Sequence, residues 1–248
     1  MTRVLHAGFH KTGSSFLQNA FFPKLKNVLF IRKLDLATVR TLSSQDESIL
    51  FSNEAACGYP YPITEEFSTA RLESTLEITK CEKVLLVKRE FNSWVLSLYF
   101  QTLNEQHFWS LQEFISQNRQ NLLTWKNAPE AIAQMCKERG TDLLVIDQSD
   151  LYKKQANTLQ RISFFINGSN YDPADIISQE RHNVSRYGMC TIKIYRILNR
   201  VLKNKIGFAL GRKIRRLPRK LIQGRIGAML DRVSPAHLAS TNIEKLMK

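Results

Sequence analysis

The chain has 248 residues, 43% hydrophobic and 23% charged, which suits one sizeable soluble domain with its own core. No apolar run reaches the roughly 18 residues of a membrane span, and charge interrupts the N-terminus too early for a signal peptide, so a cytosolic protein is expected. The formal net charge of +14 is uneven: residues 1–192 hold 21 Lys/Arg and 20 Asp/Glu, whereas residues 193–248 hold 15 Lys/Arg against Asp231 and Glu244. That split predicts a near-neutral body, residues 1–192, and a basic C-terminal segment, residues 193–248. Cys57, Cys81, Cys136 and Cys190 are scattered with no C-x-x-C, and read as reduced structural thiols.

In chain order, the apolar run Val4 to Phe9 reads as a buried strand. A short loop bearing Gly8 and Gly13 follows, then a helix from Ser14 to Phe22 stopped by Pro23. Val28 to Ile31 reads as a short strand, Asp35 to Leu42 as a short helix, and Ser48 to Ser52 as a second strong strand ending in Asn53-Glu54. After the loop Gly58-Tyr-Pro-Tyr-Pro62, a helix is expected to open at Thr64, with Glu65 and Glu66 favourably placed in its first turn. Lys83 to Lys88 is a strand, followed by helices near 93–103, 111–120 and 129–139. Asp142 to Asp147 is a further strand, and Thr158 to Ile166 a helix. Apolar strands alternating with helices describe an α/β domain with a parallel sheet flanked by helices. Ligands of such sheets sit beyond the C-terminal ends of the strands, here Gly8–Ser15, Ser52–Glu54, Arg89 onward and Asp147–Asp150.

Strand, glycine-bearing loop and helix start make a phosphate cradle, because glycine lets the backbone approach an anion and the helix N-terminus points N–H groups at it. On the template G-x-x-x-x-G-K-[ST], Gly8, Gly13 and Ser15 fit, but Ser14 holds the lysine position and the loop's only lysine is Lys11. This predicts a P-loop-like cradle of another kind. A second anion site is suggested by Arg89 after its strand and Ser97 eight residues later, a charged fork and a hydroxyl. The plainer alternative is a surface arginine and a helix serine that never meet.

The stretch Gly8-Phe-His-Lys-Thr-Gly-Ser-Ser-Phe-Leu-Gln18 resembles the 5′-phosphosulfate loop of the sulfotransferases, G-x-x-K-[ST]-G-[ST]-[ST]-x-L-Q. Val84 to Tyr99, with Arg89 and Ser97, resembles their 3′-phosphate motif, and Leu143 to Leu151 followed by Phe164-Phe-Ile-Asn-Gly168 resembles a later segment of the family. The resemblance spans roughly residues 3–190 and is closest to bacterial, carbohydrate-sulfotransferase-like members. It implies 3′-phosphoadenosine 5′-phosphosulfate (PAPS) as sulfuryl donor, with no metal. Lys11, Thr12, Gly13, Ser14 and Ser15 would hold the 5′-phosphosulfate, and Arg89 and Ser97 the 3′-phosphate. Departures are Glu90-Phe91 where a proline is common, Asp150 for glutamate and Ser14-Ser15 for Thr-Thr. The family's nucleotide-covering loop has only Arg181 to Arg186 as a counterpart.

Sulfuryl transfer needs in-line alignment and stabilisation of charge on the leaving oxygen, which the resemblance implies for Lys11. It also needs a base for the acceptor's proton. Glu54 is the first choice and His10, beside Lys11, the second; the alternative for Glu54 is a capping role. His6 reads as a packed strand histidine and His107 as surface. The acceptor is expected to be a carbohydrate or glycolipid. Residues 193–232 mix basic and apolar residues, consistent with a helix on an anionic membrane, contact with an acidic acceptor, or a solvated hairpin; nucleic acid is disfavoured because the body is neutral. The rival readings are a nucleotide kinase and a catalytically degenerate nucleotide-binding module docked to membranes.

Overall fold

The computed structural model describes residues 2–32, 39, 48–59, 66–105, 107, 109–169, 196–197, 200 and 243–247. The expected helix over 35–42 falls, save for the helical Val39, outside these residues, as do segment 181–186 and most of the basic tail. The chain divides into two compact units, residues 1–90 with 120–180, and residues 91–119 with 181–248.

The first unit is built on five parallel strands: β1 (Arg3–His6), β2 (Val28–Ile31), β3 (Ser48–Ser52), β4 (Lys83–Lys88) and β5 (Asp142–Asp147), in the order β2-β3-β1-β4-β5. The α/β fold expected from the sequence is therefore the fold observed. β1 lies at the centre, with His6 opposite Ser52 on β3 and Leu85 on β4. The chain runs to one side of β1 for β2 and β3 and to the other for β4 and β5, so the loop leaving β1 sits at the point where the strand order reverses. That is where α/β sheets form their ligand crevice.

Side-chain alternation gives the sheet two buried faces. On one, Val4, Leu50, Leu85, Val87 and Ile146 pack against Leu17, Phe21 and Phe22 and against Leu159, Ile162 and Ile166 of helix α7 (Gln155–Asn167). Helix α5 (Ala128–Arg139) contacts β4 and β5. Helix α2 (Thr69–Thr79) buries Leu72 and Leu76. The short α6 (Asp150–Lys153) precedes α7 and buries Leu151.

Two expectations are revised. The helix after β1 is α-helical only over Ser14–Phe16 (α1), continues as a π-turn over Leu17–Phe21, and closes as a 3-10 turn over Phe22–Lys24. Pro23 sits in the opening residues of that last turn rather than ending the helix, a position where its missing N–H costs nothing. The start expected at Thr64 and Glu65 lies outside the described residues; from residue 66 the chain is not helical until Thr69, where Ser68 is the N-cap, its hydroxyl accepting from the Arg71 N–H at 3.3 Å. The residues just before it are not helical because the chain there is tied to the preceding turn, Ser68 N–H donating to the Cys57 carbonyl at 3.0 Å.

The second unit contains α3 (Phe91–Asn104), the first half of α4 (Leu111–Lys126) and α8 (Ile243–Leu246). A capping box starts α4: Glu113 N–H donates to Ser110 Oγ at 3.1 Å while Ser110 N–H donates back to Glu113 Oε2. Tyr99 is buried beside Phe114 and donates its hydroxyl to the Trp109 carbonyl at 3.0 Å. His107 stacks on Trp109. From the basic segment, Arg196 pairs with Glu113 at 3.9 Å. Cys57, Cys81 and Cys136 are free buried thiols. Among the described residues no helix is long and apolar enough to cross a membrane.

Phe21 is wholly buried at the centre of the β1–α7 core. Phe21→Ala is expected to lower the free energy of unfolding by about 3–5 kcal/mol through lost transfer energy and the cavity left behind, read from the urea midpoint at constant slope.

Candidate functional site

The site grows from the loop at the end of β1. The strand's pairing outlasts its regular geometry: Ala7 N–H donates to the Leu85 carbonyl at 2.9 Å, and the His6 carbonyl accepts from Asn53 N–H at 3.0 Å. The chain then turns through Lys11, whose φ of 68° is left-handed, and Gly13, whose φ is 93°. A side chain at Gly8 would collide with the loop it starts, because its Cβ would lie 2.5 Å from Ser14 Oγ. A lysine in the left-handed region costs about 1–3 kcal/mol. It is held there by two donors on one atom: Arg89 Nη1, just past β4, reaches the Lys11 carbonyl at 3.1 Å, and Gln148 Nε2, just past β5, reaches it at 3.2 Å.

The expected anion-binding residues divide by direction. Lys11 and Ser15 are exposed, whereas Thr12 and Ser14 are buried. Thr12 Oγ1 donates to the Phe9 carbonyl at 2.5 Å and lies 3.5 Å from Ser14 Oγ, so both hydroxyls face the loop's own scaffold. What Ser14 offers a ligand is its main-chain N–H in the first turn of α1, where such groups have no intrahelical partner. Gly13 brings the backbone close to the Tyr152 hydroxyl, which would lie 3.3 Å from a Cβ there. Arg89 stands beside this loop, and burial lowers its pKa, opposed by Tyr152 and Glu90. One guanidinium N–H is on the Lys11 carbonyl, and a guanidinium has five N–H donors in all. Ser97 belongs to the second unit, half-buried on α3.

The expected bases come together. Glu54 follows β3 in a turn in which Asn53 Oδ1 accepts from Ala55 N–H at 3.0 Å and the Asn53 carbonyl from Ala56 N–H at 3.2 Å. His10 Nδ1 lies 3.4 Å from Glu54 Oε2, and the His10 ring meets Tyr59 edge-on at 4.0 Å. Burial, and then the charge of Lys11, lower the His10 pKa to about 4, so this imidazole is neutral at pH 7. Burial raises the Glu54 pKa, against Arg32, Lys11 and a hydrogen bond from Gln18. Arg32 is itself anchored, donating to Asn19 Oδ1 at 2.7 Å. The site thus carries two exposed cations, Lys11 and Arg32, within electrostatic reach of a carboxylate whose proton affinity is increased by burial.

Sequence reading missed Gln148, Arg32, Tyr59 and Tyr152. Gln148 lies within the β5 end already marked as a place to look, but an uncharged amide there has no distinguishing signature. Arg32 sits just past β2 by the same rule.

His6 and His10 give the acid limb of stability a definite sign. His6 is fully buried and its pKa is lowered to about 3. The unfolded chain binds a proton at each histidine near pH 6.5, which the folded state refuses until about 3 or 4. Stability is therefore full above about pH 6.5 and falls as pH drops, by up to ~1.4 kcal/mol per pH unit for the fully buried His6. Glu54, with its raised pKa, acts in the opposite sense, losing stability as pH rises through its titration. Urea denaturation of His6→Gln at pH 7, 6 and 5 should show a shallower decline than the parent chain; equal slopes would show that His6 is not the group responsible.

Among solved structures, the chain is similar to the crystal structure of a sulfotransferase from Alicyclobacillus acidocaldarius, with a TM-score of 0.52 and 12% sequence identity over 86% of this chain and 99% of that one. At that identity the likeness speaks for the fold. No family model matches the sequence, and no curated protein matches it significantly.

Proposed function

We propose that the chain is a sulfotransferase, moving the sulfuryl group of PAPS to a hydroxyl of an acceptor. The observation that carries this reading is the pairing at the mouth of the β1 loop: the exposed Lys11 at its crest, and beside it Glu54, whose pKa is raised by burial. Leaving-group stabilisation and proton removal are the two demands of the reaction, and these groups meet one each.

In the proposed reaction the acceptor oxygen attacks sulfur in line with the bond to the 5′-phosphate. That sulfur–oxygen bond breaks with its electron pair going to adenosine 3′,5′-bisphosphate, while the acceptor's proton passes to Glu54. Lys11 and the N–H groups of Gly13, Ser14 and Ser15 meet the charge growing on the departing phosphate oxygens, fixed dipoles needing no reorganisation. Arg89 is given two roles: one N–H holds the Lys11 carbonyl, and the guanidinium meets the nucleotide's 3′-phosphate, as the sequence motif implies. His10 faces Glu54 as a neutral imidazole; its Nδ1–H is the donor this carboxylate needs, which favours Glu54 over His10 as the base. The chemistry calls for no metal. A carbohydrate or glycolipid acceptor, a cytoplasmic location and a peripheral membrane role for residues 193–232 complete the proposal. They rest on Glu54 and on the charge distribution of the sequence.

In a thermal-shift titration, adenosine 3′,5′-bisphosphate should stabilise the protein far more than ATP, and Arg89→Ala should erase the difference; equal shifts would rule against a PAPS enzyme. Transfer of labelled sulfate from PAPS to a glycan panel should fall roughly 100- to 1000-fold with Lys11→Ala, about 3–4 kcal/mol of lost electrostatic stabilisation. Glu54→Gln should cost on the order of 100- to 10000-fold in kcat. An unchanged rate in that variant removes Glu54 from the role of base.

A further inference from the structure

The proposed reaction needs Lys11 at a fixed place, yet this residue stands in a left-handed turn, and one of the two side chains holding that turn has a second task. The Lys11 carbonyl accepts from Arg89 Nη1 at 3.1 Å and from Gln148 Nε2 at 3.2 Å, and a carbonyl oxygen has a lone pair for each. Arg89 is also the charge that the sequence motif assigns to the nucleotide's 3′-phosphate. Charge-assisted hydrogen bonds to phosphate are roughly twice as strong as neutral ones, so a bound nucleotide competes with the carbonyl for this guanidinium. The Gln148 amide is uncharged and is not drawn away in the same manner.

Gln148 is anchored independently of the loop. Its main-chain N–H donates to the Lys88 carbonyl at 2.7 Å, prolonging the β4–β5 pairing by one residue. The chain after it enters α6, where Leu151 is wholly buried in the core and the Asp150 carbonyl accepts from Thr158 Oγ1 at 3.2 Å. From that base the side chain meets the loop at both residues of positive φ. Its Nε2 is on the Lys11 carbonyl, and its Cγ lies 3.6 Å from where a Cβ on Gly13 would be. A carbonyl only accepts, so the amide is fixed with its nitrogen toward the loop.

We propose that Gln148 is the positioning residue for Lys11, the tie that keeps the left-handed turn while Arg89 meets the 3′-phosphate; this rests on the reading of Lys11 as the group that stabilises the leaving oxygen. Gln148 does not touch the reacting atoms. It acts through one peptide. With the carbonyl held, the lysine side chain starts from a fixed backbone, and less reorganisation is needed when charge develops beside its ammonium. A loop released at this carbonyl can relax to the negative φ that a lysine prefers, which re-aims the side chain.

The gripped carbonyl belongs to the Lys11–Thr12 peptide, which supplies a readout apart from sulfate transfer. Trypsin cuts after lysine in an extended chain, so a peptide held in a left-handed turn is cut only when the turn opens. In the full chain, release of the fragment 1–11 is timed by mass spectrometry, with cleavage elsewhere as the control for global unfolding. Gln148→Met keeps the length and removes the donor. It should speed the Lys11–Thr12 cut by about 10-fold, the effect of one lost hydrogen bond, and leave other sites at the parent rate. Gln148→Glu sets carboxylate oxygens against the carbonyl; it should speed the cut further, and carries the test if Gln148→Met does not fold. For transfer from saturating PAPS, kcat of Gln148→Met should fall roughly 10- to 100-fold with KM for PAPS little changed. In a Lys11→Ala background the same substitution should cost nothing further, because its effect runs through the lysine. Parent-like cleavage at Lys11–Thr12 in both Gln148 variants overturns the proposal, and so does a fall in kcat that persists in full without Lys11. Faster cleavage in a chain that moves no sulfate from PAPS would support the tie and sink the sulfotransferase reading. Transfer as fast in the Gln148 variants as in the parent would keep that reading and remove Gln148 from it.

Discussion

The Lys11 carbonyl is the atom on which the rest of the site depends. Two side chains reach it from separate strands, Arg89 from the end of β4 and Gln148 from the end of β5. They arrive together because of register: Lys88 pairs with Asp147, so the next residue on each strand stands at the same level beyond the sheet. A slip of one residue would turn one of them to the other face. The left-handed turn at Lys11 is thus specified by strand pairing far from it in sequence. Because the carbonyl is held from the sheet, the lysine side chain projects from a braced peptide, which reduces the reorganisation needed when charge appears beside it.

A second tension governs Glu54. Burial opposes its ionisation, while Lys11, Arg32 and the Gln18 amide favour it. A carboxylate that ionises too readily is a weak base, and one that does not ionise is no base; the opposing effects leave its pKa above the ordinary value while the surrounding cations limit the rise. Burial is the shared cause that keeps the neighbouring His10 neutral and raises Glu54; the charge of Lys11 reinforces it at His10 and opposes it at Glu54. Two titratable groups in one environment are pushed apart in role, the carboxylate toward proton uptake and the imidazole toward donation from Nδ1.

The sheet was legible because its strands are apolar runs with polar or charged ends, such as Lys83 to Lys88 and Asp142 to Asp147, too short for buried helices and separated by helix-length segments. The loop after β1 was legible for the same local reason: its glycines, lysine and hydroxyls are contiguous. What could not be read was direction and partnership. Nothing in the order Lys11-Thr-Gly-Ser-Ser15 says that Thr12 and Ser14 turn inward while Lys11 and Ser15 turn out; that depends on the left-handed turn. Gln18 and Ser52 are 34 residues apart and meet only because β1 and β3 pair in one register. Glu66 stays outside α2 although the helix dipole favours it in a first turn, because a tertiary tie at Ser68 decides the outcome.

The inward turn of Ser14 has a consequence for how this loop relates to those that hold nucleoside triphosphates. Position 14 is where such loops carry their lysine, yet here its side chain lies 3% exposed, against the backbone of Gly8. A lysine grafted there would have to drive its four-carbon stem into the packed underside of the cradle before its ammonium could meet an anion. The two kinds of loop share a motif on paper, but they are separated by a steric barrier rather than by a single exchange of residues. A lineage passing from one to the other would have to rebuild the turn first and relocate the charge afterwards.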